Sequence, residues 1–254
     1  MPRMSEGNLM STTLRLARIE TGSRDEAWRL HRPTLTSLRG PVTMNEHLHM
    51  LREFSSRQQF SRNETIFSEG DAADHVYKII SGTVRLCRHM PDGRRHIADF
   101  MLPGDLVGFA ECAEHPFTAE AITAAIVTSY PRNQFDRLGD GDPQVRANLL
   151  CLVTTSLLTA QQHLFVLSCQ NAKERLASFI LRMAARTDVL TGDRLDLSMG
   201  RQDIADHLGL TIETICRAIA ALKGDGTIAV PNSHQLILKD TGALRALSEG
   251  SVPR

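Results

Sequence analysis

The chain has 254 residues, 42% of them hydrophobic, and balances 29 Lys plus Arg against 29 Asp plus Glu. This excludes a wholly disordered chain and admits two modest domains with tails, while neutrality neither supports nor forbids nucleic acid as a partner. There is no run of about eighteen apolar residues and no positive-then-apolar N-terminus, which predicts a cytoplasmic protein with no membrane span and no signal peptide.

Residues 1–43 read as an N-terminal tail, rich in Arg, Ser and Thr and without a sustained apolar period. Short helical pieces around Leu14, Leu16 and Ile19 are the most it offers, and Met44 is an alternative start. Residues 44–140 read as mostly β. Short strands are expected at Thr65–Phe67, His75–Ile80, Thr83–His89, Arg95–Met101 and Ala121–Ser129. Turn signals separate them: Glu69-Gly70-Asp71, Ser81-Gly82, Pro91-Asp92-Gly93 and Pro103-Gly104-Asp105. Many short strands at this spacing predict a sandwich or jelly roll.

The pattern changes over residues 141–170. Leu150, Val153, Leu157, Ala160, Leu164 and Leu167 recur at alternating three- and four-residue steps, the a/d seam of a coiled coil. Leu149, Leu152 and Phe165 widen the apolar surface, so the helix must bury more than one face. One face on its own β-domain and one on a second copy is the economical solution, which predicts a homodimer. An ordinary core helix is the alternative.

Residues 171–246 read as a smaller second domain, and residues 247–254 as a C-terminal tail. Ala172–Arg186 is predicted as an amphipathic helix with Leu176, Ile180 and Met183 inside. A short strand at Leu195–Leu197 follows. Then come two short helices and a hairpin of Thr227–Val230 and Gln235–Leu238, turning at Pro231-Asn232-Ser233. Between Gly200 and Lys223 the pattern is that of a helix-turn-helix. Ile204, Ala205 and Leu208 share one face of the first helix, and Ile215, Ile219 and Leu222 share one face of the second. Gly209 falls where the chain turns, and Thr211 suits the N-cap that follows. Glu213, Cys216, Arg217 and Ala220 then line an outward stripe near the N-terminus of the second helix, the part that contacts bases in the major groove. An arginine can grip guanine O6 and N7 with two bonds, and a glutamate can accept from cytosine N4. Arg201, Gln202, Thr211 and Thr214 complete the expected DNA-contacting set. A thiol at Cys216, near a helix N-terminus and beside Arg217, is also a candidate for redox control.

The Arg201-Gln202-Asp203-Ile204-Ala205 and Glu213-Thr214-Ile215-Cys216-Arg217 stretches resemble the CRP/FNR superfamily of bacterial transcription regulators. So do the β-region through Pro103-Gly104-Asp105-Leu106-Val107-Gly108 and the long helix. The resemblance covers about residues 45–240 and implies an α+β fold. Its parts are an N-terminal β jelly-roll sensory domain of the cyclic-nucleotide-binding kind, a long dimerisation helix and a C-terminal winged helix-turn-helix. It implies a regulator, mainly an activator and not an enzyme, in which Glu213 and Arg217 read an inverted repeat of the TTGAT…ATCAA kind in double-stranded DNA. RNA polymerase is the further partner implied, with Arg94 and Arg95 at the Pro91-Asp92-Gly93 tip as its candidate contacts.

The effector motifs of the superfamily are altered. Where cyclic-nucleotide binders carry Gly-Glu-Leu and Arg-Ser-Ala, this chain reads Gly108-Phe109-Ala110 and Phe117-Thr118-Ala119, without the acid and the arginine. No cysteine precedes Cys87, so the four-thiolate cluster of the oxygen sensors is not expected. The combination resembles the FixK-like subgroup, which acts in low-oxygen gene control, and no cofactor is expected. An effector-gated regulator with a haem or small-molecule ligand is the alternative. For it, Cys112 and His115 form a Cys-x-x-His pair, read more plainly as a small buried thiol and a surface histidine. A cupin-like metal protein is a third reading: His89 and His96 flank one turn, but no third ligand is evident and no metal is expected. The five cysteines, Cys87, Cys112, Cys151, Cys169 and Cys216, are odd in number, scattered, and never at CxxC spacing, so they make neither a disulfide framework nor a zinc ribbon.

Overall fold

The computed structural model describes residues 48–109 and 113–250. The expectations for residues 1–43, for Met44 and for Cys112 lie outside the described residues. After a 3-10 turn at Arg52–Phe54 come eight strands: β1 (Ser56–Phe60), β2 (Thr65–Phe67), β3 (His75–Ser81), β4 (Val84–His89), β5 (Arg95–Met101), β6 (Leu106–Val107), β7 (Thr118–Ala121) and β8 (Ala125–Pro131). They form two antiparallel four-stranded sheets, ordered β1-β8-β3-β6 and β2-β7-β4-β5. Phe67, Ile79, Val84, Val107, Ala119, Ala121 and Val127 fill the space between them. The alternation that buries Ala125, Val127 and Ser129 on β8 is the period-two pattern of a strand with one face inward. Gly82 joins β3 to β4 at φ +83, and a Cβ there would come within 2.4 Å of the Ala124 carbonyl oxygen, so only glycine fits.

The strand expected over Ala121–Ser129 corresponds to β8, which starts only at Ala125, while Ala121 ends a separate strand, β7. β7 belongs to one sheet and β8 to the other, and the chain crosses between them at residues 122–124. There the Ile122 N–H donates to the Thr83 carbonyl at 2.8 Å, and the Thr123 hydroxyl accepts from the Thr83 N–H at 3.0 Å. A continuous β-favouring run conceals such a crossing, because every residue in it suits either sheet.

Six helices follow β8: α1 (Arg132–Gly141), α2 (Pro143–Cys169), α3 (Ala172–Arg186), α4 (Arg201–Leu208), α5 (Ile212–Gly224) and α6 (Thr241–Ser248). Asp142 caps α2 by accepting from the Gln144 N–H at 2.7 Å, with Pro143 at the first helical position. Asn171 and Glu174 form a reciprocal capping box that starts α3. Strands β9 (Arg194–Asp196), β10 (Ile228–Asn232) and β11 (Gln235–Leu238) make a small sheet ordered β10-β11-β9 beside α4 and α5.

Leu176, Ile180 and Met183 of α3 are fully buried, as expected. Their cluster continues through Ile204, Ile215 and Leu222 and reaches Ile97 and Phe100 of β5, so the helical half shares its core with one edge of the β-half. Each such side chain contributes about 1.5–3 kcal/mol by leaving water. Helix α2 contains an 18-residue window of mean hydropathy 1.4, long and apolar enough by composition to cross a bilayer. It contains no unbroken run of eighteen apolar residues, as expected. Thr, Gln and His residues interrupt the apolar letters of the helix without lowering their mean far.

Candidate nucleic-acid interface

Two short helices and the turn between them build the site. Helix α4 begins at Gly200, whose N–H donates to Asp203 Oδ2 at 3.1 Å. It ends at Gly209, which takes the left-handed conformation at φ 62 and ψ 40. Thr211 caps α5, its hydroxyl accepting from the Thr214 N–H at 3.3 Å. Ile204, Ala205 and Leu208 of the first helix, with Ile215, Ile219 and Leu222 of the second, are buried. Glu213, Cys216, Arg217 and Ala220 are therefore left on the outer face, all exposed.

On that face the side chains touch one another. The Arg217 guanidinium donates to the Thr214 hydroxyl at 3.2 Å, and Thr214 and Thr211 share a 3.1 Å hydroxyl contact. Arg201, from the start of α4, reaches Cys216 Sγ at 3.8 Å. Hydrogen bonds from its own backbone N–H and from the Thr211 hydroxyl, with the charge of Arg217, hold the Glu213 carboxyl below the usual carboxylate range. Six of the seven expected contact residues thus form one cluster of donors, an acceptor and a thiol. The seventh, Gln202, turns along α4 and donates to Asp206 at 2.6 Å.

Behind this face lies an ionic network without local sequence signal. Asp203 Oδ1 accepts from Arg95 at 2.6 Å and from Arg85 at 3.1 Å, and Arg95 also donates to Asp206 at 2.8 Å. Arg182 donates to Asp99 at 2.9 Å, and Arg186 pairs with Asp105 and donates to the Phe100 carbonyl at 2.6 Å. Burial pushes the Asp105 carboxyl up, and Arg186 only partly offsets it. Burial pushes Asp99 up too, but Arg182 and Arg186 outweigh it and hold that carboxyl below the usual range. Arg95, expected beside Arg94 at an exposed hairpin tip, is instead 19% exposed and bound to α4, because two carboxylates face it there. Arg94 does stand at the tip, 78% exposed and paired with Asp92 at 2.7 Å.

Along α2 the expected seam faces outward. Leu150, Val153, Leu157, Ala160 and Leu164 are exposed, Leu150 and Leu164 at 67% each, and Leu167 is half-buried. Phe165 adds a further exposed ring.

The effector region departs from the sequence reading in one respect. His115, read as a surface residue, is 2% exposed and stacks on Phe67 with ring centroids 3.8 Å apart. Burial and the nearby Arg132 lower its pKa, so it sits neutral in the β-core. A Cβ on Gly108 would already meet the His75 carbonyl at 3.0 Å and the His115 ring at 3.1 Å. The acid and the arginine are missing from both effector motifs, so a cyclic nucleotide would lack those two partners. His89 and His96 do not converge either: His89 faces Arg95 across the hairpin while His96 faces Arg88, so the two leave opposite faces.

Comparison with known proteins agrees with this geometry. Residues 57–142 match the family model of the cyclic nucleotide-binding domain, and residues 174–247 match that of the Crp-like helix-turn-helix domain. The nitrogen fixation regulation protein FixK of Azorhizobium caulinodans is 40% identical over 191 residues, covering 74% of this chain and 77% of that protein. The anaerobic regulatory protein of Haemophilus influenzae is 33% identical, over 82% of this chain and 83% of the relative. The solved structure of FixK2 from Bradyrhizobium japonicum superposes with a TM-score of 0.72 at 32% identity, covering 76% of this chain and 96% of that one.

Proposed function

The chain belongs to the FixK-like branch of the CRP/FNR DNA-binding transcription regulators, and from that premise we propose that it binds a TTGAT…ATCAA-type inverted repeat as a homodimer. The observation that carries this reading is the outward stripe of α5. A capped, buried-backed helix presents Glu213 as an anion and Arg217 as a cation four residues apart, with only Cys216 and Ala220 between and beyond them. Arg217 takes a guanine edge, Glu213 a cytosine amine, and the small neighbours let the helix approach the bases. Thr211, Thr214 and Arg201 flank the stripe where phosphates would run.

Two copies pair along α2. Its exposed leucines at three- and four-residue steps match a helix seam, and an inverted repeat needs a two-fold partner. Arg94, at the exposed hairpin tip, is the RNA polymerase contact in this reading; Arg95 belongs to the chain's own interior. The setting is low-oxygen gene control in the cytoplasm, in line with the names of the relatives. An electrophoretic shift on a duplex carrying the palindrome, beside one with both half-sites scrambled, tests the proposal. Tight binding to the first alone is expected; equal binding to both defeats the reading.

A further inference from the structure

A cluster on β4 and β7, away from the outward face of α5, has the donor set of a metal site. Cys87 and His89 stand two positions apart on β4, so their side chains leave the same face of the strand. Arg85, on that same face, lies opposite Glu120 of β7, and Cys87 lies opposite Thr118, which sets Glu120 diagonal to Cys87. One ligand atom from each of Cys87, His89 and Glu120 lies within 4.8 Å of the others. The two oxygens of Glu120 are divided between neighbours. Arg85 donates to Oε2 at 2.7 Å, and Oε1 is the atom facing His89, 3.9 Å from its Nε2.

We propose that Cys87, His89 and Glu120 bind one divalent ion of the zinc type through sulfur, nitrogen and oxygen. This mixed set suits Zn²⁺ and is too soft for Mg²⁺ or Ca²⁺, and water takes the fourth position. A tetrahedral zinc ion holds its ligand atoms roughly 3.5 Å apart, so the cluster closes by about 1 Å around it. Arg85 stays on Oε2 and fixes the carboxylate, as outer partners of ligands do. Cys87 is fully buried and His89 is exposed, so the ion enters from the His89 side. Without an ion the thiol is neutral, because burial and Glu120 push it up to about 12 against the pull of Arg85 and Arg95. Binding breaks the S–H bond as the metal–sulfur bond forms and sends the proton to solvent. Since Arg85 also donates to Asp203, one side chain separates the ligand Glu120 from the scaffold of the reading helix.

The test uses the full chain, reduced and metal-free, titrated with Co²⁺ as a spectroscopic stand-in. A thiolate-to-cobalt charge-transfer band that saturates at one ion per chain and is bleached by Zn²⁺ is expected. Cys87→Ser should abolish the band. His89→Ala, at an exposed position that keeps the fold by circular dichroism, should weaken Co²⁺ binding at least tenfold. No band in the wild type, a band that survives Cys87→Ser, or unchanged affinity in His89→Ala overturns the proposal. If Cys87→Ser does not fold, His89→Ala decides alone.

Discussion

Cys216 lies on the proposed reading face, exposed, with the Arg201 guanidinium 3.8 Å from its sulfur. Oxidation by peroxide to a sulfinate or sulfonate would add volume and negative charge at this point. That charge would repel phosphate and draw Arg201 or Arg217 into a local ion pair, and both effects weaken DNA binding. Peroxide treatment should therefore collapse the affinity of the wild type and spare Cys216→Ser; equal loss in both, or none in either, removes Cys216 as a switch. Arg94 makes a separate case. Replaced by alanine, it should lower transcription and leave DNA affinity unchanged, and equal transcription from both forms removes the polymerase contact. Arg95 cannot serve in that experiment, because its loss takes a cation from Asp203 and Asp206 and so disturbs α4 itself. The outward set on α5 was legible in the sequence because helical period alone decides which residues face out. The division of Arg94 from Arg95 was not, because the two carboxylates that turn Arg95 inward lie more than a hundred positions away.

Helix α2 is where period and composition agree, and the helix expected over residues 141–170 runs from Pro143 to Cys169. Its exposed leucines bear on assembly. Replacing Leu157 or Leu164 with Glu puts two like charges on one desolvated seam in any dimer built along it. Sedimentation should then find monomers that bind the palindrome poorly, whereas an intact dimer would move the interface elsewhere. Other elements were less legible. Strands β1 and β6 and helix α1 were not anticipated: β6 has two residues, and α1 buries little of its own besides Phe135. Helix α6 did carry a signal, since Asp240 accepts from the Ala243 N–H at 2.8 Å as its N-cap and Leu244 is its buried anchor. Only Leu244 of this helix is buried, so its two turns show no repeated apolar face.

At the scale of the whole molecule, the β-half and the helical half are joined by groups between 81 and 118 positions apart, which no local pattern can reveal. Beside these ion pairs His207 lies buried, its Nδ1 2.9 Å from the Ile97 carbonyl and its Nε2 2.7 Å from Arg182. A carbonyl only accepts and a guanidinium only donates, so His207 is neutral with its proton on Nδ1. His163 of α2 stacks on it with centroids 4.2 Å apart. Burial, then Arg182, pushes His163 down to about 4; the same two causes, joined by His163, push His207 well below the ordinary histidine value. Both folded-state values lie below the unfolded 6.5, so the unfolded chain binds more protons between them. Stability should be fully present above about 6.5 and fall as pH drops toward 4. By pH 5 the loss from His163 is on the order of 1 kcal/mol after allowing for solvent screening of its partly exposed ring, and His207 adds to it in the same direction. Urea unfolding at pH 7 and pH 5 measures it, and His163→Phe, which keeps the stack without a titrating group, should shrink the difference. A midpoint that holds or rises at pH 5 contradicts this reading of the junction.

In the proposed complex α5 reads sequence through Arg217 in a symmetric dimer. The most direct test is fluorescence-anisotropy titration of wild type and Arg217→Ala, at one salt concentration, on the TTGAT…ATCAA palindrome and on a scrambled duplex. Each bidentate guanine contact is worth about 1–3 kcal/mol of discrimination, and the dimer makes two. Arg217→Ala should therefore lose roughly 30-fold or more on the palindrome and bind both duplexes alike. An unchanged preference of Arg217→Ala for the palindrome would contradict the account.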